Sequence, residues 1–363
     1  MTPSKKSILA ATLGTMFAVA QLSSTAIAEQ SNTLQRADDD MKRVLQKLDA
    51  LGAKPLGTQS VEATRKQPTP ADAVKAVLKD EGKDPKHVMD SLNVSSKNMT
   101  YPAGEGTQPV RIFTPGGEAP EQGWPVIVYY HGGGWVIADI DTYASSAMGL
   151  ANEAEAIVAS VEYRHAPEHK FPAAHEDAFA AYKWALDNAK TFGGDPQRVA
   201  VAGESAGGNL AVNTAIMARD NNLQMPEHML LVYPVAGTDM NTESYKENAN
   251  AMPLSRDAMA WFVKHTISDP SDKQDPRLDL VGQANLQNLP DATVITAEID
   301  PLRSEGKTLA EKLEQAGSDV EYKNYDGVTH EFFGMFPVVE DAKQALEFAA
   351  NELESDLQSA EKD

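Results

Sequence analysis

Ser205 has the surroundings of a nucleophilic serine. It is the centre of Gly203-Glu-Ser-Ala-Gly207, which matches the pattern G-x-S-x-G. The apolar run Val199 to Ala202 predicts a buried strand before it, and Asn209 to Ala218 predicts a helix after it. A turn between such a strand and helix holds the serine hydroxyl exposed on strained backbone, with room only for small residues nearby. Idle turns match the same short pattern, so the assignment depends on the rest of the chain.

Two further groups that a serine nucleophile needs follow predicted strands later in the chain. A serine hydroxyl is a weak nucleophile at neutral pH, so it requires a general base, a group that orients the base, and N–H donors for the developing oxyanion. Asp300 follows the strand that ends in Ala297-Glu-Ile299, and His330 follows the last strand. The carboxyl ends of parallel strands lie at one edge of a sheet. We therefore expect Ser205, Asp300 and His330 to meet there.

A glycine-rich segment supplies the N–H donors. Pro125 to Tyr130 predicts an early buried strand, and His131-Gly-Gly-Gly134 follows it directly. Glycines leave backbone N–H groups unobstructed, and the N–H of Ala206, just after the serine, is the other expected donor. His131 is expected to fix the shape of this loop rather than to transfer protons. The segment lacks the G-K-[ST] and G-x-G-x-x-G patterns of phosphate-binding loops.

Two other carboxylates lie close to these residues in the sequence. Glu298 could orient the histidine in place of Asp300, because an alternating strand points both side chains the same way. Asp300 is preferred because it lies nearer the end of the strand. Glu204, next to the serine, either tunes the site or is a structural carboxylate of the turn, and the second interpretation is preferred.

The other histidines suggest no metal site. His165, His169 and His175 lie close together in the sequence, but they lack the H-E-x-x-H spacing of a zinc site and no carboxylate set completes them. We expect them to have surface or supporting roles. Three further histidines have no companions and are expected to have no special role: His87, His228 and His265.

The composition narrows the classes of partner. The formal net charge is −21, and Lys and Arg are not clustered after residue 30. This argues against nucleic acid and against anionic membrane surfaces as partners, and solubility is the preferred explanation of the acidity. The chain has no cysteine, which excludes a cysteine nucleophile, a disulfide and a thiolate-ligated metal.

The first 28 residues resemble an export signal. Lys5 and Lys6 form a positive segment, Ile8 to Ala20 an apolar segment, and Ala26-Ile-Ala28 a cleavage site. The apolar stretch is short for a membrane span. We predict cleavage after Ala28 and export to the periplasm or the medium, with no stable membrane anchor afterwards. An uncleaved N-terminal anchor is the alternative.

The rest of the chain divides into a helical part and a strand-rich part. Residues 29–92 predict two amphipathic helices, the first with Met41, Val44 and Leu45 at helical spacing, the second capped by Thr69. Because no strands accompany them, we interpret them as an appended lid. Strands alternate with helices over residues 93–363, and central strands such as Pro125 to Tyr130 are continuous apolar runs. This predicts an α/β fold with a mostly parallel central sheet flanked by helices.

The motifs together resemble the bacterial hormone-sensitive lipase family of esterases (family IV), in the α/β-hydrolase superfamily. The resemblance covers roughly residues 35 to 355 and rests on these segments: His131-Gly-Gly-Gly-Trp135, Tyr163-Arg-His-Ala-Pro-Glu168, Phe171-Pro-Ala-Ala174, Gly203-Glu-Ser-Ala-Gly-Gly-Asn209, Asp300-Pro-Leu-Arg303 and His330-Glu-Phe-Phe333. Two positions depart from the family pattern. Glu204 stands where Asp or Thr is usual, and His165 stands where Leu is common.

The resemblance implies a fold and a set of site residues. It implies an α/β-hydrolase fold with a helical cap built from residues 29–92 and from an insertion at about 236–267. It implies a catalytic triad of Ser205, Asp300 and His330. The oxyanion donors would be the backbone N–H groups of Gly133, Gly134 and Ala206.

The function expected from these observations is carboxylic ester hydrolysis through an acyl-enzyme intermediate. Small-molecule esters with short- to medium-chain acyl groups are the expected substrates, no cofactor or metal is expected, and a homodimer is left open. One alternative within enzymes is deacetylation of arylacetamides or acetylated sugars. Others are a catalytically inactive binding protein with the same fold and a metal-dependent hydrolase, which loss of activity in EDTA would reveal.

Overall fold

Eight strands form one sheet in the computed structural model of the protein, which describes residues 32–359. The predicted export signal lies outside the described residues. The spatial order of the strands is β1-β2-β4-β3-β5-β6-β7-β8. The first two strands form an antiparallel hairpin, and β2 is antiparallel to β4. All remaining neighbours are parallel, so the carboxyl ends of β3 to β8 lie at one edge.

The strand bounds are β1 Ser95–Ala103, β2 Gly106–Thr114, β3 Trp124–Tyr130, β4 Ile157–Val161, β5 Gly194–Glu204, β6 His228–Val232, β7 Asp291–Ile299 and β8 Val320–Thr329. The N-terminal helices are α1 Asp39–Ala50, α2 Val61–Thr64, α3 Pro70–Asp80 and α4 Pro85–Asp90. The remaining helices are α5 Ala144–Glu153, α6 Ala173–Asn188, α7 Ala206–Asp220, α8 Glu243–Glu247, α9 Arg256–Thr266, α10 Leu280–Gln283, α11 Arg303–Ala316 and α12 Glu340–Ser359. Short 3-10 turns lie at Ala189–Phe192, Pro270–Gln274 and Phe333–Met335.

The central strands of the sheet are buried on both faces, as their apolar sequences predict. Every residue of β3 is buried. Val126, Val128 and Tyr130 pack into one hydrophobic cluster, and Ile127 and Tyr129 into the other. Helices α6, α7 and α11 cover the first face, and α1, α3, α5 and α12 cover the second. This alternation explains why β3 reads as a continuous apolar run rather than as an alternating one.

Helix α1 packs its apolar face against the body of the protein. Met41, Val44 and Leu45 on α1 are buried in the same cluster as Tyr325 and Val328 of β8. Full burial of each such side chain contributes roughly 1.5–3 kcal/mol, so the apolar face of α1 is held against the body of the protein.

Two predicted helix boundaries have the expected chemistry. Thr69 caps α3 in a reciprocal capping box with Asp72, and Pro70 occupies the first turn. Gly317 ends α11 with a φ of 106°, a left-handed conformation that favours glycine. No helix among residues 32–359 is long and apolar enough to cross a membrane.

Candidate active site

The backbone of Ser205 is fixed in a strained conformation between β5 and α7. Its φ is 56° and its ψ is −117°, a region that residues with a Cβ atom rarely adopt. The N–H of Ser205 donates to the carbonyl of Val232 at 2.9 Å. Its own carbonyl accepts from the N–H groups of Val235 at 3.0 Å and Asn209 at 3.3 Å. These bonds hold the strained turn against the end of β6.

The glycines on either side of Ser205 are required by close backbone contacts. A Cβ atom on Gly203 would lie 2.2 Å from the backbone carbonyl carbon of Gly207. A Cβ atom on Gly207 would lie 1.9 Å from the carbonyl oxygen of Tyr130. No side chain fits at either position without moving the main chain, so the small residues of the sequence pattern are explained by packing.

The structure brings Ser205, His330 and Asp300 together. The Nε2 atom of His330 lies 2.9 Å from the Oγ of Ser205, and its Nδ1 lies 2.7 Å from Oδ2 of Asp300. All three side chains are buried. With Nδ1–H donating to the carboxylate, the lone pair of Nε2 faces the serine hydroxyl. His330 is thus placed to accept the proton of Ser205.

Asp300 is the carboxylate that contacts the histidine, and Glu298 is not. The second oxygen of Asp300 accepts from the N–H of Leu302 at 2.8 Å, which fixes the carboxylate plane. Glu298 instead accepts from Arg36 at 3.1 Å and from the N–H of Gly327 at 2.9 Å. Of the two acids, Asp300, which the sequence favoured, is therefore the one in contact with the histidine.

Several charges act on the pKa of His330. Burial lowers the pKa of its imidazole, but the negative charge of Asp300 and its hydrogen bond to the ring raise it, and Glu331 and Glu204 raise it further. The net result is a pKa above the ordinary value of 6.5. Glu331 is the nearest of these secondary charges, with Oε1 3.9 Å from Nε2 of His330.

The glycine loop has the conformation and the space that only glycine provides. Gly133 and Gly134 have φ angles of 93° and 59°. A Cβ atom on Gly133 would lie 2.2 Å from the carbonyl oxygen of Ile137, and one on Gly134 would lie 2.3 Å from the ring of Phe262. Ala206 is the first residue of α7, so its N–H has no acceptor within the helix. Both glycines border the same cavity as Ser205.

Glu204, which directly precedes Ser205, lies in a buried cluster of tyrosines. It accepts hydrogen bonds from the hydroxyls of Tyr129 and Tyr233. Burial and the charge of Glu331 raise the pKa of Glu204 to about 7. The ring of Tyr233 also lies 4.5 Å from that of His330. Tyr233 was not identified from the sequence, although it directly follows β6 and lies next to the turn that carries Ser205.

Two of the other histidines are buried and hydrogen-bonded. His175, for which a surface or supporting role was expected, has its Nε2 2.9 Å from Oδ1 of Asn209. His228 is also buried, with Nδ1 2.7 Å from Asp356 and Nε2 2.9 Å from Oγ1 of Thr293. Both are polar members of the core, which apolar periodicity cannot reveal. His169 is exposed, as expected.

A cavity of about 830 Å³ opens above Ser205 and His330. One wall comes from the N-terminal segment, including Leu48 and Leu56. Another part of the wall comes from the segment after β6: Leu254 lies before α9, and Met259 and Phe262 lie on it. Both predicted cap segments therefore border the space in front of the serine.

A mostly parallel sheet with a serine on the turn after β5 and a histidine after its last strand defines an α/β hydrolase. The alpha/beta hydrolase fold family matches residues 127–334, and the chain belongs to this family. The carboxylesterase NlhH of Mycobacterium tuberculosis is 40% identical over 268 residues, which are 72% of this chain and 82% of that protein. The ethyl acetate hydrolase of Pseudomonas putida is 34% identical over 266 residues, 73% of this chain and 83% of that protein.

Solved structures agree with these relatives. A hyperthermophilic esterase from the archaeon Pyrobaculum calidifontis superposes with a TM-score of 0.76 at 35% identity, covering 88% of this chain and 98% of that one. The predicted α/β-hydrolase fold is confirmed, as is the resemblance to the hormone-sensitive lipase type of carboxylesterase. The chain is accordingly classed with the carboxylic ester hydrolases.

Proposed function

We propose that this protein is a serine carboxylesterase in which Ser205, His330 and Asp300 act as a catalytic triad. The observation that carries the proposal is the continuous pair of contacts from Ser205 Oγ to His330 Nε2 at 2.9 Å and from His330 Nδ1 to Asp300 Oδ2 at 2.7 Å. Relatives named as a carboxylesterase and as an ethyl acetate hydrolase support the ester as substrate.

The first half of the reaction forms an acyl-enzyme. His330 Nε2 accepts the proton of Ser205 as Oγ attacks the ester carbonyl, and Asp300 stabilises the resulting imidazolium. The backbone N–H groups of Gly133, Gly134 and Ala206 face the developing oxyanion. The imidazolium then gives its proton to the alcohol oxygen, the bond between carbonyl carbon and alcohol oxygen breaks, and the alcohol leaves.

The second half repeats the same steps with water. His330 accepts a proton from water as the water oxygen attacks the acyl carbonyl of the Ser205 ester. The tetrahedral intermediate collapses, Ser205 Oγ takes the proton back from His330, and the carboxylic acid departs. These steps are complete with groups of the chain and one water molecule.

Short- to medium-chain acyl esters are the substrates that we propose. The cavity wall beside the glycine loop is apolar, with Leu254, Met259 and Phe262 buried around it. Each acyl methylene that moves from water onto such a wall contributes about 0.8 kcal/mol, or roughly a fourfold gain in kcat/KM. The gain in kcat/KM stops at the length at which the acyl chain reaches the end of the cavity.

An acyl-chain series tests this substrate preference. With p-nitrophenyl esters, we expect kcat/KM to rise from acetate to butyrate by roughly tenfold and to fall for long chains such as palmitate. Phe262→Ala should move the optimum towards longer chains because it removes a ring from the wall. Phe179→Ala is the matched control, since this buried ring lies on α6 away from the cavity. A flat profile, or equal profiles for wild type and Phe262→Ala, would contradict the proposed pocket.

The pH dependence tests the role of His330. Only the neutral imidazole accepts the serine proton, so activity is lost as the pH falls through its pKa. Because that pKa is raised, we expect the acid limb of kcat/KM to lie above pH 6.5. Glu331→Gln should move the limb to lower pH by removing a charge that raises the pKa. Glu340→Gln, an exposed carboxylate at the start of α12, should leave it in place. An acid limb that lies at the same pH in Glu331→Gln as in the wild type would contradict this account.

We also propose export and cleavage after Ala28, with residues 29–92 and about 236–267 forming the cap. The support for export is the arrangement of Lys5, Lys6 and the apolar segment that follows them. N-terminal sequencing of protein recovered from the periplasm and the medium tests the cleavage site, and a retained Met1 would rule it out.

A further inference from the structure

Two histidines and a glutamate converge behind the glycine loop. His131 directly follows β3, Glu162 directly follows β4, and His165 comes three residues later. Oε1 of Glu162 lies 3.6 Å from Nε2 of His131 and 3.4 Å from Nε2 of His165. One ligand atom from each of the three residues lies within 4.8 Å of the other two. We refer to these residues as the His131–Glu162–His165 cluster.

The two imidazole nitrogens of this cluster are buried and have no hydrogen-bond partner among the described residues. The side chain of His131 is fully buried, and its Nε2 points at the carboxylate. An unpartnered polar atom in the interior costs about 1–3 kcal/mol, so such atoms usually have a partner. The cluster presents two of them to the same carboxylate oxygen.

The tautomer of His131 leaves a lone pair facing that oxygen. Its Nδ1 lies 2.8 Å from the carbonyl oxygen of Gly132, which can only accept, so Nδ1 carries the hydrogen. In the neutral ring Nε2 is then an acceptor, and it faces the acceptor Oε1 of Glu162. Two acceptors at this distance repel each other unless Nε2 carries the ring's second proton or a metal cation lies between them, and a zinc titration distinguishes the two. The contact of Nδ1 with a backbone carbonyl is also the usual outer support of a metal-binding histidine.

We propose that His131 Nε2, His165 Nε2 and Glu162 Oε1 bind one divalent transition-metal ion of the zinc type. Two imidazoles and one carboxylate are a ligand set that zinc accepts, with water completing the coordination. Ligand atoms on one tetrahedral zinc lie about 3.3 Å apart. The contacts to Oε1 therefore need to close by only a few tenths of an ångström. Oε2 of Glu162 is held by the N–H of Ile140 at 3.1 Å, which orients the carboxylate.

The metal would link the carboxyl ends of β3 and β4 next to the glycine loop. Among the described residues, none of the three ligands lines the cavity in front of Ser205. The ion therefore stabilises the fold and takes no part in the proton transfers, and the inference does not rest on the proposed esterase mechanism. His165 supplies one ligand, and it is the position at which the sequence departs from the common leucine of the family.

Zinc binding by the full chain without a histidine tag tests the proposal. After treatment with dipicolinate and dialysis, we expect calorimetric titration with ZnCl₂ to give one site per chain with a Kd on the order of 1 µM or tighter. Co²⁺ bound at the same site should give the visible d–d absorption bands of a four-coordinate ion. Zinc at 100 times Kd should raise the Tm by about 5 °C.

Three variants decide whether the named residues are the ligands. His165→Leu and Glu162→Gln should each weaken zinc binding by at least about tenfold and reduce the Tm shift at the same zinc concentration by at least about half. His169→Gln is the matched control, since this exposed histidine lies in the same loop and should bind as the wild type does. If His165→Leu does not fold, Glu162→Gln gives the same test. The proposal is overturned if the wild type binds no stoichiometric zinc, if both ligand variants bind as tightly as the wild type, or if His169→Gln loses the site.

Discussion

Replacing Ser205 by alanine is expected to lower kcat for p-nitrophenyl butyrate by about 10⁴- to 10⁶-fold. The variant keeps His330, Asp300 and the oxyanion donors, but it has no oxygen 2.9 Å from Nε2 to receive the acyl group. Any remaining hydrolysis would depend on water attacking directly, with the glycine loop still stabilising the oxyanion. Steady-state kinetics of both proteins at one pH measure the loss.

A second serine provides the control for this substitution. Ser160 on β4 is as buried as Ser205, and its hydroxyl has no hydrogen-bond partner among the described residues. Ser160→Ala should therefore keep kcat within about twofold of the wild type. A fluorophosphonate probe should label the wild type and Ser160→Ala but not Ser205→Ala. Turnover or labelling that survives in Ser205→Ala would refute the assignment, and an unlabelled wild type would favour a binding protein without catalysis.

A second substitution at position 205 distinguishes loss of catalytic activity from loss of the native fold. Serine and alanine both carry a Cβ atom at a φ of 56°, whereas glycine adopts such angles without penalty. Ser205→Gly should thus be as inactive as Ser205→Ala but more stable than it, by roughly 1–2 kcal/mol in the free energy of unfolding. Denaturant unfolding of the two variants measures the difference. It also shows that the native fold has survived in both.

The convergence of Ser205, Asp300 and His330 could be predicted because each residue is positioned by a local pattern. Ser205 lies in a turn whose glycines are recognisable, and Asp300 and His330 follow apolar runs that predict strands. The ends of parallel strands meet at one edge of a sheet, so the order of the elements was enough to bring three distant residues together. The structure adds the distances and identifies which of Asp300 and Glu298 contacts the histidine.

The surroundings of these three residues could not be predicted in the same way. The tyrosines that donate to Glu204 lie 75 and 29 residues away from it, and nothing in a strand's periodicity indicates that their hydroxyls converge on one carboxylate. The same is true of His131 and His165, which become neighbours only because β3 and β4 are paired. Such polar contacts depend on side-chain direction and register rather than on the pattern of apolar residues.

The packing of α1 is a third case. Its apolar spacing predicted an amphipathic helix, and the structure has one at Asp39–Ala50. The same spacing does not say which surface the apolar face covers, and it led to the interpretation of an appended lid. In the structure that face packs beside β8, while Leu48 also borders the cavity. A helix pattern specifies that a face is buried, but its partner depends on the three-dimensional arrangement.

Replacing Asp300 by asparagine is expected to lower kcat by about 10⁴-fold although the side chain keeps its shape. The N–H of Leu302 donates to Oδ1 at 2.8 Å, so the asparagine oxygen should take that place and its NH₂ group should face His330. Nδ1 must then accept a hydrogen bond instead of donating one, which moves the ring hydrogen to Nε2. A protonated Nε2 cannot receive the proton of Ser205. Kinetics with p-nitrophenyl butyrate measure the loss.

Glu298→Gln is the matched control for that substitution, because Glu298 is the other acid of the same strand end. Its carboxylate contacts Arg36 and the N–H of Gly327, and glutamine keeps an oxygen for either donor. We expect kcat to stay within about threefold of the wild type. A large loss in Glu298→Gln with little loss in Asp300→Asn would reverse the assignment of the orienting acid. In Asp300→Asn the acid limb of the residual activity should also move to lower pH, because the Asp300 charge is the strongest influence that raises the pKa of His330.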